Sequence, residues 1–259
     1  MSITKLTAAI IRQEYIGTGI LSLILQADEI ARDAVPGQFV NLYCTDGSRL
    51  LPRPISLCEI DKNQGTLRLV YRIVGQGTEE FSKLTAGHTL EIMGPLGNGF
   101  TLKAGKALLM GGGIGIPPML ALAKELQKRE DTEVLVVLGY RDELFLNEEF
   151  EPYGKVYLAS DDGLHGVKGN VLNVVREYQL SADTIYACGP MPMLRAIKDY
   201  AAEQKMEAQL SFEERMACGI GACLACVCKS KETDSHTHVK NKRVCKDGPV
   251  FLAQEVEFE

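Results

Sequence analysis

Five of the chain's eight cysteines lie between Cys218 and Cys245. Cys218, Cys223 and Cys226 are spaced C-x4-C-x2-C, and Cys245 follows after a polar connector. This is the ligand spacing of plant-type [2Fe–2S] centres, in which soft thiolates hold iron and sulfide. Gly219 and Gly221 let the loop turn and aim N–H groups at the sulfurs. A four-cysteine zinc site is the rival reading, but zinc ribbons use two separated C-x2-C pairs and only one stands here. A Rieske centre needs two histidine ligands in the cluster loops, whereas His236 and His238 sit together in the connector, where they are expected to be exposed. Cys228 is a rival ligand by spacing and is assigned a spectator role, while Cys44 and Cys58 read as core.

Four further groups suit phosphate and ring binding. Arg53-Pro54-Ile55-Ser56 puts a guanidinium fork and a hydroxyl on one extended strand, able to grip a phosphate while the backbone faces a flat ring. Gly75-Gln76-Gly77-Thr78 ends a strand and opens a short helix, so its N–H groups suit a pyrophosphate; alone it reads equally as a turn with an N-cap. Gly111-Gly112-Gly113-Ile114-Gly115-Ile116-Pro117-Pro118 follows a predicted strand and precedes a helix, the context of a dinucleotide fingerprint, although Pro118 replaces the third glycine. The turn Cys188-Gly189-Pro190 also follows a strand. Cys188 there approaches a nicotinamide or simply packs, and Arg141 and Asp142 leave the choice between NAD and NADP open.

The elements that must position these groups change character along the chain. Up to about residue 98, short β-rich segments such as 20–25, 38–43, 55–60 and 66–74 alternate with turns and one short helix near 78–84. From about residue 100, strands at 107–110, 133–138, 156–159 and 184–187 alternate with helices at 117–129, 170–178 and 192–203. The pattern stops after Gln209 and leaves a tail too small to order itself without ligation. The expected architecture is an antiparallel β-barrel over 1–99, a parallel α/β nucleotide-binding domain over 100–208 and a cluster module over 209–259.

A formal charge of −6 argues against a broad nucleic-acid face. The uncharged run 107–123 holds four glycines and two prolines, so it reads as a strand–loop–helix joint and not a membrane span. No secretory signal opens the chain, and a cytoplasmic location is expected.

Together these motifs, in this order and over essentially the whole chain, resemble the ferredoxin reductase family and, within it, the electron-transfer subunits of NAD-dependent, two-subunit dihydroorotate dehydrogenases. The resemblance implies that Arg53, Pro54, Ile55 and Ser56 line FAD, with Val70, Tyr71 and Arg72 on the neighbouring strand and Gly77 and Thr78 at the pyrophosphate. It implies that Cys218, Cys223, Cys226 and Cys245 hold the [2Fe–2S] cluster, and that NAD(H) visits Gly111, Gly112, Gly113, Gly115, Cys188, Gly189 and Pro190. It also implies an FMN-containing catalytic partner chain, two of each in a heterotetramer, with electrons from dihydroorotate reaching NAD in pyrimidine (UMP) biosynthesis. The eightfold βα pattern expected of a chain that oxidises dihydroorotate itself is missing. Alternatives are a related flavoprotein subunit serving ferredoxin, sulfide or a hydrogenase, and a colourless zinc-tailed binding protein.

Overall fold

Alternating apolar residues in the first third of the chain close a barrel. The computed structural model describes residues 2–233 and 238–258, so His236 lies outside the described residues and His238, which is exposed, lies within them. Strands β1 (Thr4–Gly17), β2 (Ile20–Gln26), β3 (Phe39–Leu42), β4 (Arg53–Asp61), β5 (Thr66–Arg72) and β6 (Thr89–Leu96) pair antiparallel in the order β1-β2-β5-β4-β3-β6. Their inward side chains, among them Leu23, Leu42, Leu57, Leu69 and Tyr71, form the barrel core.

Two short helices interrupt the barrel, where the sequence pattern predicts one. Helix α1 (Asp28–Asp33) buries only Ile30 and Ala31, a stripe too short to be told from strand alternation. Helix α2 (Gln76–Ser82) begins two residues before its predicted start. Thr78 lies inside its first turn, where its Oγ1 accepts from the N–H groups of Val74 and Gly75 at 3.0 and 3.2 Å.

The second half alternates β7 (Gly105–Gly112), α3 (Ile116–Gln127), β8 (Thr132–Tyr140), β9 (Lys155–Ser160), β10 (Val167–Lys168), α4 (Val171–Glu177), β11 (Thr184–Cys188), α5 (Met191–Gln204) and β12 (Glu207–Ser211). Strands β13 (Val227–Lys229) and β14 (Asn241–Arg243) form a small ribbon in the tail, and β15 (Val250–Leu252) follows. The large sheet runs β10-β9-β8-β7-β11-β12-β15, parallel except for β15, which pairs antiparallel with β12. The strand order reverses between β7 and β11, so ligands are expected in the crevice at their carboxyl ends.

The tail is thus tied into the sheet. Strand β12 crosses the predicted boundary at 208/209, and β15, from the predicted cluster module, completes the α/β sheet.

The barrel packs against the α/β domain through β4 and β5. Cys58 and Val70 share an apolar cluster with Ile116, Met119 and Leu120 of α3. Beside it, Arg68 of β5 donates from Nε to Ser22 Oγ at 2.8 Å, from Nη1 to Glu59 at 2.9 Å and from Nη2 to Glu149 at 2.9 Å, and Lys124 of α3 donates to Glu59. This network bridges the two domains.

Candidate functional site

Strand β4 carries the Arg53–Ser56 motif at its start, and alternation turns Pro54 and Ser56 outward with Cys58, away from Leu57 in the barrel core. Arg53 meets α2, because a Cβ on the buried Gly77 would lie 2.3 Å from Arg53 Nε. Only a glycine lets the guanidinium lie against this turn. Two motifs separated by eighteen residues thereby meet, a guanidinium against the N–H groups at a helix start. On β5, Val70 faces the α/β domain and Arg72 is exposed. Tyr71 points the other way, into the barrel, where its hydroxyl donates to Gln13 Oε1 at 3.0 Å. Its backbone alone is left to face a flavin.

The nucleotide candidates converge at the switch point. Gly111 of β7 lies beside Cys188 of β11 in the ladder. A Cβ on Gly115 would sit 2.4 Å from the Cys188 carbonyl oxygen, and one on Gly189 3.2 Å from the Gly112 nitrogen, so the two turns touch backbone to backbone. Gly113 and Gly115 form a single 3-10 turn that leads into α3, with Pro117 and Pro118 in its first turn, where a missing N–H costs nothing. The Cys188 thiol is buried, and burial pushes it up to about 12 against the hydrogen bond it shares with Ser211. Arg141 and Asp142 pair with each other at 3.0 Å on the surface beyond β8.

The cluster candidates lie on two loops. Cys226 and Cys245 are buried, Cys218 is half-buried and Cys223 is exposed. Backbone donors surround the sulfurs: Ile220 and Ala222 N–H donate to Cys218 Sγ at 3.5 and 3.3 Å, Gly221 N–H to Cys245 Sγ at 3.1 Å and Cys245 N–H to Cys226 Sγ at 3.4 Å. Gly219 and Gly221 take left-handed φ values of 71° and 83°, the conformation that turns these N–H groups inward. Burial opposes ionisation of Cys218, but the N–H groups of Ile220, Cys223 and Ala222 and the Cys223 thiol prevail and pull it down to about 7. The Cys245 thiol donates to Cys226, which lowers Cys226 to about 6 and raises Cys245 itself.

The thiols therefore fall into two pairs, Cys218 with Cys223 and Cys226 with Cys245. Among the described residues no three His, Cys, Asp or Glu side chains converge as one mononuclear ion requires. Two thiolate pairs with N–H donors on their sulfurs fit a two-iron cluster, with one pair for each iron. Cys228 projects from β13 into an apolar cluster, and burial pushes its thiol up to about 11. Arg243 ties the loops together, donating to Asp247 through Nε and Nη2 at 3.0 and 3.2 Å and to the Gly221 carbonyl at 3.3 Å.

Sequence reasoning missed the seam between barrel and cluster. Phe39 of β3 joins the apolar cluster that contains Cys226 and Cys245, and Asn41 donates from Nδ2 to the Cys218 carbonyl at 3.3 Å. The available signal was one polar residue inside the apolar run Phe39-Val40-Asn41-Leu42. In the ladder Phe39 pairs with Ser56 and Asn41 with Pro54. The cluster loop thus packs on the strand next to the Arg53–Ser56 strand, while α3 and its glycine loop cover the outward face of β4 and β5 beside it.

Family models match three successive segments: an oxidoreductase FAD-binding domain over residues 10–100, an oxidoreductase NAD-binding domain over 109–199, and the iron–sulfur cluster binding domain of dihydroorotate dehydrogenase B over 213–257. The dihydroorotate dehydrogenase B (NAD(+)) electron transfer subunit of Fusobacterium nucleatum subsp. nucleatum is 45% identical over 235 residues, 86% of this chain and 87% of that protein. The protein of the same name from Geobacillus sp. (strain WCH70) is 44% identical over 254 residues, 95% of this chain and 96% of its own. Among solved structures, the NADH-dependent reduced ferredoxin-NADP oxidoreductase, described for flavin-based electron bifurcation, superimposes with a TM-score of 0.86 at 27% identity over 96% of this chain and 89% of that one. With these matches spanning the fold and every motif group, the chain belongs to the family of dihydroorotate dehydrogenase B (NAD(+)) electron transfer subunits.

Proposed function

We propose that the chain carries electrons from dihydroorotate, oxidised on an FMN-containing catalytic partner chain, to NAD through a [2Fe–2S] cluster and FAD, as part of pyrimidine biosynthesis. The supporting observation is the adjacency around β4, which has the glycine loop and α3 on one side and the cysteine loop on the other. When bound, FAD supplies the conversion between the paired electrons of a nicotinamide and the single electrons of an iron–sulfur cluster.

The chain's own residues hold these groups in line. Arg53, Ser56, Gly77 and Thr78 grip the FAD phosphates, Pro54 and Ile55 with the backbone of Val70, Tyr71 and Arg72 flank its ring, and Gly111–Gly115 with Cys188–Pro190 admit NAD(H). Cys218, Cys223, Cys226 and Cys245 hold the irons, and the N–H groups of Ile220, Gly221, Ala222 and Cys245 offset charge on the sulfurs. Ile220, Cys223 and Leu224 are exposed, which gives electrons a short path to a docked partner. The assembly is a heterotetramer of two chains of each kind, in the cytoplasm; no helix among the described residues is long and apolar enough to cross a membrane.

The test is to prepare the chain anaerobically, alone and with its co-purifying partner. Alone it should contain FAD and about two iron and two sulfide per chain, oxidise NADH with an artificial acceptor, and leave dihydroorotate untouched. With the partner, dihydroorotate should reduce NAD. Dihydroorotate turnover by the isolated chain, or zinc in place of iron and sulfide, overturns the reading.

A further inference from the structure

Arg243 is 8% exposed, and a guanidinium, which keeps its charge, is held inside a protein only by matched partners. Its two edges face different groups. Nε and Nη2 donate to the Asp247 carboxylate at 3.0 and 3.2 Å, and Asp247 Oδ2 also accepts the backbone N–H of Arg243 at 2.8 Å. Nη1 donates to the Gly221 carbonyl at 3.3 Å. The guanidinium therefore stands between the carboxylate and the cysteine loop, and the positive end of the ion pair is the end turned to that loop.

What lies beyond the Gly221 carbonyl gives this contact its meaning. That carbonyl and the N–H of Ala222 belong to one planar peptide unit, whose two groups point in opposite directions. The N–H end donates to Cys218 Sγ at 3.3 Å. The preceding peptide offers the Gly221 N–H to Cys245 Sγ at 3.1 Å. Carboxylate, guanidinium, peptide and sulfur thus form one chain of hydrogen bonds aligned head to tail, in which each bond polarises the next. Gly221 is the pivot: its φ is 83°, and a Cβ there would lie 2.6 Å from Lys246 Cδ, which leaves no room for a side chain.

The influence of such a chain on electrons has a sign. Reducing the cluster adds one negative charge, which a nearby cation stabilises and a nearby anion opposes. Arg243 reaches the Cys218 sulfur through a single peptide, and Asp247 stands one link further back. We propose that the buried Arg243–Asp247 pair sets the reduction potential of the cluster: Arg243 polarises the Gly221–Ala222 peptide toward Cys218 Sγ and raises the potential, while Asp247 orients Arg243 and offsets part of its charge. Arg243 acts through the peptide and is a positioning residue. This rests on the reading of Cys218, Cys223, Cys226 and Cys245 as the ligands of a [2Fe–2S] cluster.

The experiment uses the full chain with FAD and cluster bound, and titrates the cluster anaerobically while its reduced form is followed by electron paramagnetic resonance. Arg243→Gln removes the charge, and Asp247→Asn removes the counter-charge. The midpoint should fall by about 59 mV in Arg243→Gln, a tenfold change in the reduction equilibrium of a one-electron couple, and should rise in Asp247→Asn. Arg243→Lys keeps the charge without the planar fork, so its resonance should shift while its midpoint stays above that of Arg243→Gln. A brace with a purely structural role moves the Arg243→Gln and Asp247→Asn midpoints the same way or not at all, and either result overturns the proposal. An Arg243→Lys midpoint no higher than that of Arg243→Gln overturns it as well. If one of Arg243→Gln and Asp247→Asn sheds iron, the sign of the shift in the other decides; if both do, the pair is only a fastening and the proposal falls. An unmodified chain that binds no iron or sulfide instead refutes the electron-transfer reading beneath it.

Discussion

The barrel and the cysteine loop sit against one another yet are held by different means. The barrel closes on itself, each strand paired on both sides around an interior of fully buried leucines. The cysteine loop has a two-stranded ribbon of three-residue strands, and its remaining order comes from backbone donors on sulfur, the Arg243–Asp247 pair, contacts with β3 and the few side chains, Cys226, Cys228, Val244 and Cys245, that it buries against the α/β domain. A region with its own core tolerates loss of its ligand, whereas one built around its ligand does not. Here the two behaviours should be separable within a single chain.

The largest effect should follow from Cys223→Ser. With one thiolate pair broken, iron and sulfide should disappear on metal analysis, and proteolysis should open the segment between β12 and β15 while FAD remains bound to the barrel. Simultaneous loss of FAD would break the comparison. The converse substitution, Arg53→Ala, should weaken FAD by about 1.5–3 kcal/mol through a lost charge-assisted phosphate contact, measured by flavin fluorescence titration, with iron content unchanged.

A smaller effect concerns the joint between barrel and α/β domain. Burial opposes ionisation of Glu59, but the hydrogen bonds from Lys124 and Arg68 prevail and hold its carboxyl below the usual glutamate range. Its folded value lies below its unfolded one, so its contribution to stability is complete above about pH 4.3 and is lost as the pH falls through the lower folded value. Thermal unfolding of Glu59→Gln should therefore fall short of the unmodified chain at pH 7 and approach it in acid. The least effect is expected for Tyr71→Phe, which removes the hydroxyl bond to Gln13 and should cost about 1 kcal/mol in denaturant unfolding. FAD affinity should not change, because this side chain faces the barrel interior.

What the sequence made legible follows from how local each signal is. The cysteine spacing, the glycine loop and the strand–helix alternation are carried by near neighbours in the chain, and the fold keeps them in the predicted order. That the side chain of Tyr71 fills the barrel was not legible, because a motif names a strand without giving its phase, and phase is decided by which residues fill the barrel. Asn41 and Arg243 escaped notice because their partners, Cys218 and Gly221, are distant in sequence or belong to a different loop. The merging of the tail with the α/β sheet was hidden for the same reason: β15 is only three residues long and finds its place through β12.

That last pairing has a consequence for how such chains are assembled. Ser211 and Val250 stand opposite each other in the ladder, and Phe212 N–H reaches the Pro249 carbonyl at 2.9 Å. The described residues between them leave the sheet and return to their starting point, like a cassette plugged into a hairpin. Inserts fitted between the same two strands, provided they cover the apolar face that Cys226, Cys228 and Val244 now cover, are a way to redirect the chain's electrons.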